Sequence, residues 1–182
     1  TGGFTEFVPL SFIHSEAPIF AKGLVQGIRT GATGDEVVRM HAIARIMLHG
    51  HIDNVQVSWV KEGLKLAQIC LDAGTNDLGG TLINESISTS AGAGFGQLVP
   101  PRELRRFVWD AGRVPVERTT GYEVRRTFVQ EEDPVDPLDQ VGDNPEGRFG
   151  SYQQLVASDR FRFAEGFRCG EGPPKKPGKA RA

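Results

Sequence analysis

The chain has 182 residues, with 21 Lys and Arg against 23 Asp and Glu, a formal net charge of -2. That length allows one domain with room for an appendage, and the near-neutral balance calls for neither nucleic acid nor an anionic membrane as partner. No apolar run approaches the ~18 residues that a membrane-spanning helix needs.

Two cysteines, Cys70 and Cys169, lie far apart and offer no metal-ligand spacing. Their scarcity fits a reducing compartment, the cytoplasm or an organelle stroma. The chain opens at Thr1 with neither an initiator Met nor a targeting pattern, and reads as a piece of a longer protein.

Glu6 to Ile13 is short, aromatic and β-branched, the signature of a buried strand. Pro9 donates no ladder hydrogen bond and marks a bulge or the strand's carboxyl end, where His14 and Glu16 emerge. Ala17 to Gly34 is glycine-rich and weakly periodic; it is expected to be a long loop with one helical turn, placed where a lid or substrate loop would be. A helix follows from about Asp35 to His49, started by a Thr33/Glu36 capping box and stopped by Gly50. Its expected apolar stripe is Val37, Met40, Ala44 and Met47. His49 and His51 flank the stop as His-x-His and are taken as loop surface for want of a third ligand.

Asn54 to Val60 is expected to be a strand with Val55, Val57 and Trp59 on one face and Asn54, Gln56 and Ser58 on the other, because side chains alternate with period two. A parallel sheet covered on both faces would be apolar on both. One polar face between helices therefore points to a barrel with a polar, ligand-filled interior. A half-solvated antiparallel strand is the alternative. The next helix, about Glu62 to Ala73, carries Leu64, Ala67, Cys70 and Leu71 on its buried face, with Cys70 as a small core residue.

Gly74 leads into Asn-Asp-Leu-Gly-Gly-Thr-Leu-Ile-Asn-Glu, from Asn76 to Glu85. Backbone can approach a ligand closely at the paired glycines Gly79 and Gly80, with Asp77, Thr81 and Glu85 within reach. The alternative is a tight connection with a capping carboxylate. One or two helical turns are expected within Ile83 to Ala91. Pro100 and Pro101 then open a helix with a Leu104, Phe107, Val108 and Ala111 stripe, closed by Gly112. Arg113 to Arg126 reads as a terminal extended segment. From residue 129 onward the chain is acidic and proline-broken, then basic and rich in Pro and Gly; residues 129–182 are expected to be an irregular, largely disordered tail. Phe161, Phe163 and Phe167 are candidates for a small docking element within it.

Strand, helix, strand, helix, stave and helix in succession give parallel, right-handed crossovers. Three such units cannot close a barrel. The fold class is therefore expected to be α/β: residues 1–128 as the C-terminal part of a barrel, incomplete in this chain.

The segments Glu6 to His14, Asn54 to Lys61 and Asn76 to Ser88, followed by Pro100-Pro-Arg-Glu-Leu and Arg118-Thr-Thr, resemble the last strands of radical S-adenosylmethionine enzymes of deazaflavin and futalosine-type menaquinone synthesis. The tyrosine-side deazaflavin (FO) synthase components are most similar. The resemblance covers about Thr5 to Arg126. It implies a TIM-type barrel, a [4Fe–4S] cluster and S-adenosyl-L-methionine. It also implies transfer of the hydroxybenzyl part of L-tyrosine to 5-amino-6-(D-ribitylamino)uracil through a 5′-deoxyadenosyl radical, whose difficult chemistry belongs to the cofactor. The family's Cys-x-x-x-Cys-x-x-Cys motif does not occur in this sequence, so the cluster ligands are expected in an N-terminal part or a partner synthase component, leaving this piece inactive alone.

Gln56 and Ser58 are candidates for hydrogen bonds to the uracil or its ribityl chain. Asp77 and Glu85 are candidates for ribose or ribityl hydroxyls or the substrate amine, Gly79 and Gly80 for close approach, Thr81 for a contact to substrate or S-adenosyl-L-methionine, and His14 for a substrate contact or proton relay. No metal ligand is assigned. The other readings are a non-catalytic ligand-binding half-barrel, a menaquinone-pathway enzyme, and a hydrolase or lyase using His14 with Asp77 as an acid–base pair.

Overall fold

The computed structural model describes residues 3–83, 85–96, 98–129 and 133–141, with the single positions 147, 150 and 154. Helices dominate: α1 (Pro18–Ala21), α2 (Gly34–Leu48), α3 (Trp59–Glu62), α4 (Leu64–Asp72), α5 (Ser86–Ser90) and α6 (Pro101–Asp110). An antiparallel hairpin, β1 (Val116–Arg118) and β2 (Val124–Thr127), and a 3-10 turn (Pro137–Gln140) follow. The architecture is mixed α/β.

The three expected strands are parallel and lie side by side in chain order, but each is reduced to a few residues. Single bridges join Phe7 to Val55 and Gln56 to Asp77, both parallel. The Phe7 amide donates to Asn54 O and the Gln56 amide to Phe7 O, each at 2.9 Å. The Asn76 amide donates to Val55 O and the Val57 amide to Asp77 O, each at 3.0 Å. We call these short segments staves. Two physical causes shorten them. Pro9 removes the next donor of the first stave, and the backbone of the second turns helical at Trp59, so the strand expected over 54–60 stops before its end.

Val55, Val57 and Trp59 are fully buried, as their common parity requires. Together with Val37, Val60, Ala67, Cys70 and Val99, the last two of these three form the core between the staves and the helices. The helix expected from Glu62 begins instead at Leu64, because Gly63 sits at φ 78° and separates α3 from α4. A Cβ there would meet the Phe95 ring at 2.8 Å, so glycine is required both for space and for conformation.

The capping box on α2 is present: Thr33 Oγ1 accepts from the Glu36 amide and Glu36 Oε2 accepts from the Thr33 amide. The buried face of α2 is Val37, His41 and Ala44. Met40 and Met47, expected on that stripe, are exposed: they lie to one side of the i, i+4, i+7 row that meets α4.

Glu36 also takes two hydrogen bonds from the Arg29 guanidinium, at 3.0 and 2.6 Å. Arg29 first and the Thr33 amide second hold its carboxyl at about 2, below the ordinary 4.5. A depressed carboxyl contributes stability that is complete above its ordinary value and lost as pH falls toward the depressed one. The first turn of α2 is therefore expected to fray between pH 4.5 and about 2, which amide NMR shifts at Thr33 and Glu36 would follow. Shifts that move only with global unfolding would contradict this.

Arg105 is the departure in α6. The Leu104, Phe107, Val108 and Ala111 stripe is only half-buried, whereas Arg105 is buried. Its Nε donates to Asp133 Oδ1 at 2.6 Å, its Nη2 donates to Pro134 O at 2.7 Å, and Asp139 Oδ2 lies 3.6 Å from Nη2. Its guanidinium stacks over the Phe128 ring at 4.8 Å. Residues 133–141, expected in the irregular tail, thus form a strap over α6. Phe161, Phe163, Phe167 and Cys169 lie outside the described residues.

Candidate functional site

Each stave contributes one polar side chain to a common layer: Glu6, Gln56 and Asp77. The parallel pairing sets Gln56 level with Asp77 and puts Glu6, opposite Asn54, on the same face two residues earlier; hydrogen bonds join the three laterally. With its amide oriented so that donors meet acceptors, Gln56 donates to Asp77 Oδ1 at 3.1 Å and to Glu6 Oε2 at 3.0 Å.

The hairpin tip closes onto this layer. Arg118 forms a two-pronged ion pair with Asp77, Nε donating to Oδ2 and Nη2 to Oδ1, the second bond at 2.9 Å. Such a planar fork is the strong form of a guanidinium–carboxylate contact. Tyr122 donates its hydroxyl to Glu6 Oε2, and the Arg118 guanidinium lies 4.0 Å above the Tyr122 ring. The Asp77 hydrogen bond raises the Arg118 pKa further, while burial, then the bond to Glu6, pushes the Tyr122 phenol up. Tyr122 is therefore a neutral donor and Arg118 a cation at every ordinary pH. Tyr122 adopts a left-handed backbone, φ 67°, a conformation that costs energy outside glycine and persists where surroundings over-determine it. Its amide donates to Thr119 O, and Thr119 Oγ1 accepts from the Glu123 amide.

Asp77 also shapes the turn that follows it. Its Oδ1 accepts from the Gly79 amide at 2.7 Å, an Asx-type turn. Gly79 and Gly80 have φ 77° and 87°, and a Cβ at Gly79 would stand 2.6 Å from the Gln56 side-chain amide. Trp59 Nε1 donates to Gly80 O at 2.9 Å, so the turn is held from the core side as well. Asp77, Gly79, Gly80 and Thr81 form one wall of a cleft of ≈ 710 Å³. Leu104, Val108, Val116 and Phe128 supply its apolar side, and Asp136 and Leu138 of the strap border it.

The structure thus gathers Gln56, Asp77 and Gly79, and places Gly80 and Thr81 beside them. Ser58 is buried next to the second stave, its carbonyl accepting from the Lys61 and Glu62 amides. His14 packs edge-on against Phe20, with centroids 4.9 Å apart, and Glu85 caps α5 by accepting from the Ser88 amide at 2.8 Å. His14, Gln56, Ser58 and Glu85 are not among the residues bordering the cleft. No hydrogen bond joins His14 to Asp77 among the described residues, and both Asp77 oxygens already have protein donors, so the acid–base pair of the hydrolase reading is not formed. Sequence reasoning does not find Glu6, Arg118 or Tyr122. The parity of Glu6 with Gln56 and the Thr-Thr-Gly-Tyr turn at Thr119 are the signals that point to them.

The residues present do not fit an iron–sulfur cluster, which needs several thiolates brought together. The sequence has two cysteines. Cys70 is fully buried, its sulfur 3.9 Å from His41 Nδ1, and burial pushes its thiol up to about 11. What the arrangement offers is a rigid, hydrogen-bonded stave layer beside a glycine turn whose backbone a polar ligand can approach.

Residues 1–131 match the family described as CofH/MqnC C-terminal region. Three relatives are named 5-amino-6-(D-ribitylamino)uracil--L-tyrosine 4-hydroxyphenyl transferase. The protein of Methanopyrus kandleri is 54% identical over 128 residues, covering 70% of this chain and 34% of that protein. That of Methanothermobacter thermautotrophicus is 52% identical over 122 residues, 67% of this chain and 32% of its own length. That of Methanocaldococcus jannaschii is 50% identical over 124 residues, 68% and 34% respectively. The chain spans about a third of the length of the curated relatives it matches.

Proposed function

The chain belongs to the CofH/MqnC C-terminal region family, and from that membership we propose that it is the C-terminal region of a radical S-adenosylmethionine transferase of deazaflavin synthesis. The reaction joins the hydroxybenzyl part of L-tyrosine to 5-amino-6-(D-ribitylamino)uracil. The observation that carries this reading is identity of 50–54% over 122–128 residues to transferases of that name.

The parallel staves then form one arc of a (β/α) barrel, completed by the portion of the protein corresponding to the rest of the relatives' length. That portion, or a partner synthase component, carries the cluster ligands, and no step of cluster chemistry is assigned to the residues described. This chain's own part is to bind and orient the polar substrate and to keep water from the reacting atoms. Gly79, Gly80 and Thr81 admit its hydroxyls to the backbone, Gln56 and Ser58 stand behind them, and His14 and Glu85 follow the ends of the first and third staves. Asp77 serves the turn itself.

The test is anaerobic incubation of the full-length, iron-reconstituted protein with S-adenosyl-L-methionine. Release of 5′-deoxyadenosine that depends on both L-tyrosine and the ribitylaminouracil is the expected result. Release indifferent to the uracil would overturn the assignment.

A further inference from the structure

We propose that Arg118 and Tyr122 are positioning residues for the transfer: the tip of the hairpin is a latch that holds the stave layer, and through it the ligand-facing turn, in its working geometry. The inference rests on the functional reading above.

The hairpin is distant in sequence from everything it holds. Arg118 reaches Asp77 across 41 positions and Tyr122 reaches Glu6 across 116. Glu6 and Asp77 belong to the two outer staves, and Gln56 of the middle stave donates to both. The five side chains therefore form a closed ring: Tyr122 to Glu6, Glu6 to Gln56, Gln56 to Asp77, Asp77 to Arg118, and Arg118 over the Tyr122 ring.

The ring has one output. Asp77 Oδ1, which Arg118 Nη2 and Gln56 also meet, accepts from the Gly79 amide. Rotation of that carboxylate moves the turn. Two carboxylates against one guanidinium would repel each other across Gln56 if Arg118 were lost, so the ring does not hold itself without the latch. The left-handed backbone of Tyr122 fits a residue whose place is fixed by what it touches.

The experiment uses the full-length protein with Arg118→Gln, Arg118→Lys and Tyr122→Phe. Hydrogen exchange followed by mass spectrometry is expected to show faster exchange confined to residues 76–82 and the hairpin. In Arg118→Gln, KM for the ribitylaminouracil is expected to rise about tenfold with kcat within about threefold, the pattern of weakened substrate binding with the chemical step intact. Arg118→Lys, which keeps the charge but not the fork, should recover part of that loss. Tyr122→Phe removes one hydroxyl and is expected to raise KM about threefold.

Exchange unchanged in both Arg118→Gln and Tyr122→Phe overturns the latch, whatever the chemistry does. Local loosening with KM and kcat as in the wild type leaves a purely structural hairpin and overturns the positioning role. A wild-type protein that forms no joined product overturns the functional reading, and the positioning role with it.

Discussion

Replacing Trp59 by alanine is expected to destabilise the protein by about 3–5 kcal/mol, the cost of removing a large aromatic from a close-packed core. Trp59 is fully buried at the junction where the second stave turns into α3. It packs with Val37, Val57, Val60 and Val99. Its indole nitrogen also satisfies the Gly80 carbonyl, which links core packing to the glycine turn. Trp59→Phe keeps a six-membered ring but loses the rest of the indole along with that bond, so its expected cost is smaller, about 1–3 kcal/mol. Urea unfolding of the two variants measures both. Equal losses would contradict that order.

The second large effect is expected at Arg105. Its side chain is 6% exposed and that of its partner Asp139 is 7% exposed. Removing the guanidinium strips Asp133 of its 2.6 Å hydrogen bond and leaves Asp139 only the Arg102 and Asp136 amides as donors, a loss of about 2–3 kcal/mol. The loss should concentrate on the strap, residues 133–141, whose hold on α6 consists of Asp133, Pro134 and Asp139. Limited proteolysis of Arg105→Ala is expected to cut within the strap at protease levels that leave the wild type whole. Arg102 meets Asp133 from a more exposed position, where an ion pair contributes little, so Arg102→Ala should leave the strap resistant. Cleavage of both variants at the same rate would contradict the central place given to Arg105.

What could be read in the sequence was what neighbouring residues decide. The Thr33/Glu36 cap, the extent of α2, the proline opening of α6 and the burial of Cys70 all follow from local spacing and composition. The polar parity of Gln56 was legible too, because strand geometry fixes it. The break at Gly63 was not: only a left-handed glycine against Phe95, 32 positions onward, separates α3 from α4. Strand lengths were overestimated because a stave is only as long as its pairing. Arg105 was not singled out at all, since its partners lie 28 and 34 positions downstream. Asp77 was legible as a polar group at a stave end, but its partner Arg118, 41 positions on, was not. A short polar side chain at a stave end announces itself, and whether a ligand or a distant arginine takes it is settled only by the tertiary fold.

The functional reading makes the stave layer and its glycine turn part of a carbon-joining transferase. The most direct measurement is isotope transfer. L-tyrosine carrying 13C in its side chain is incubated with the full-length protein, S-adenosyl-L-methionine and unlabelled ribitylaminouracil, and the uracil product is weighed by mass spectrometry. The account predicts a joined product carrying the hydroxybenzyl carbons with their label. Label that stays in tyrosine or leaves as a free phenol, with the uracil recovered at its original mass, would contradict it.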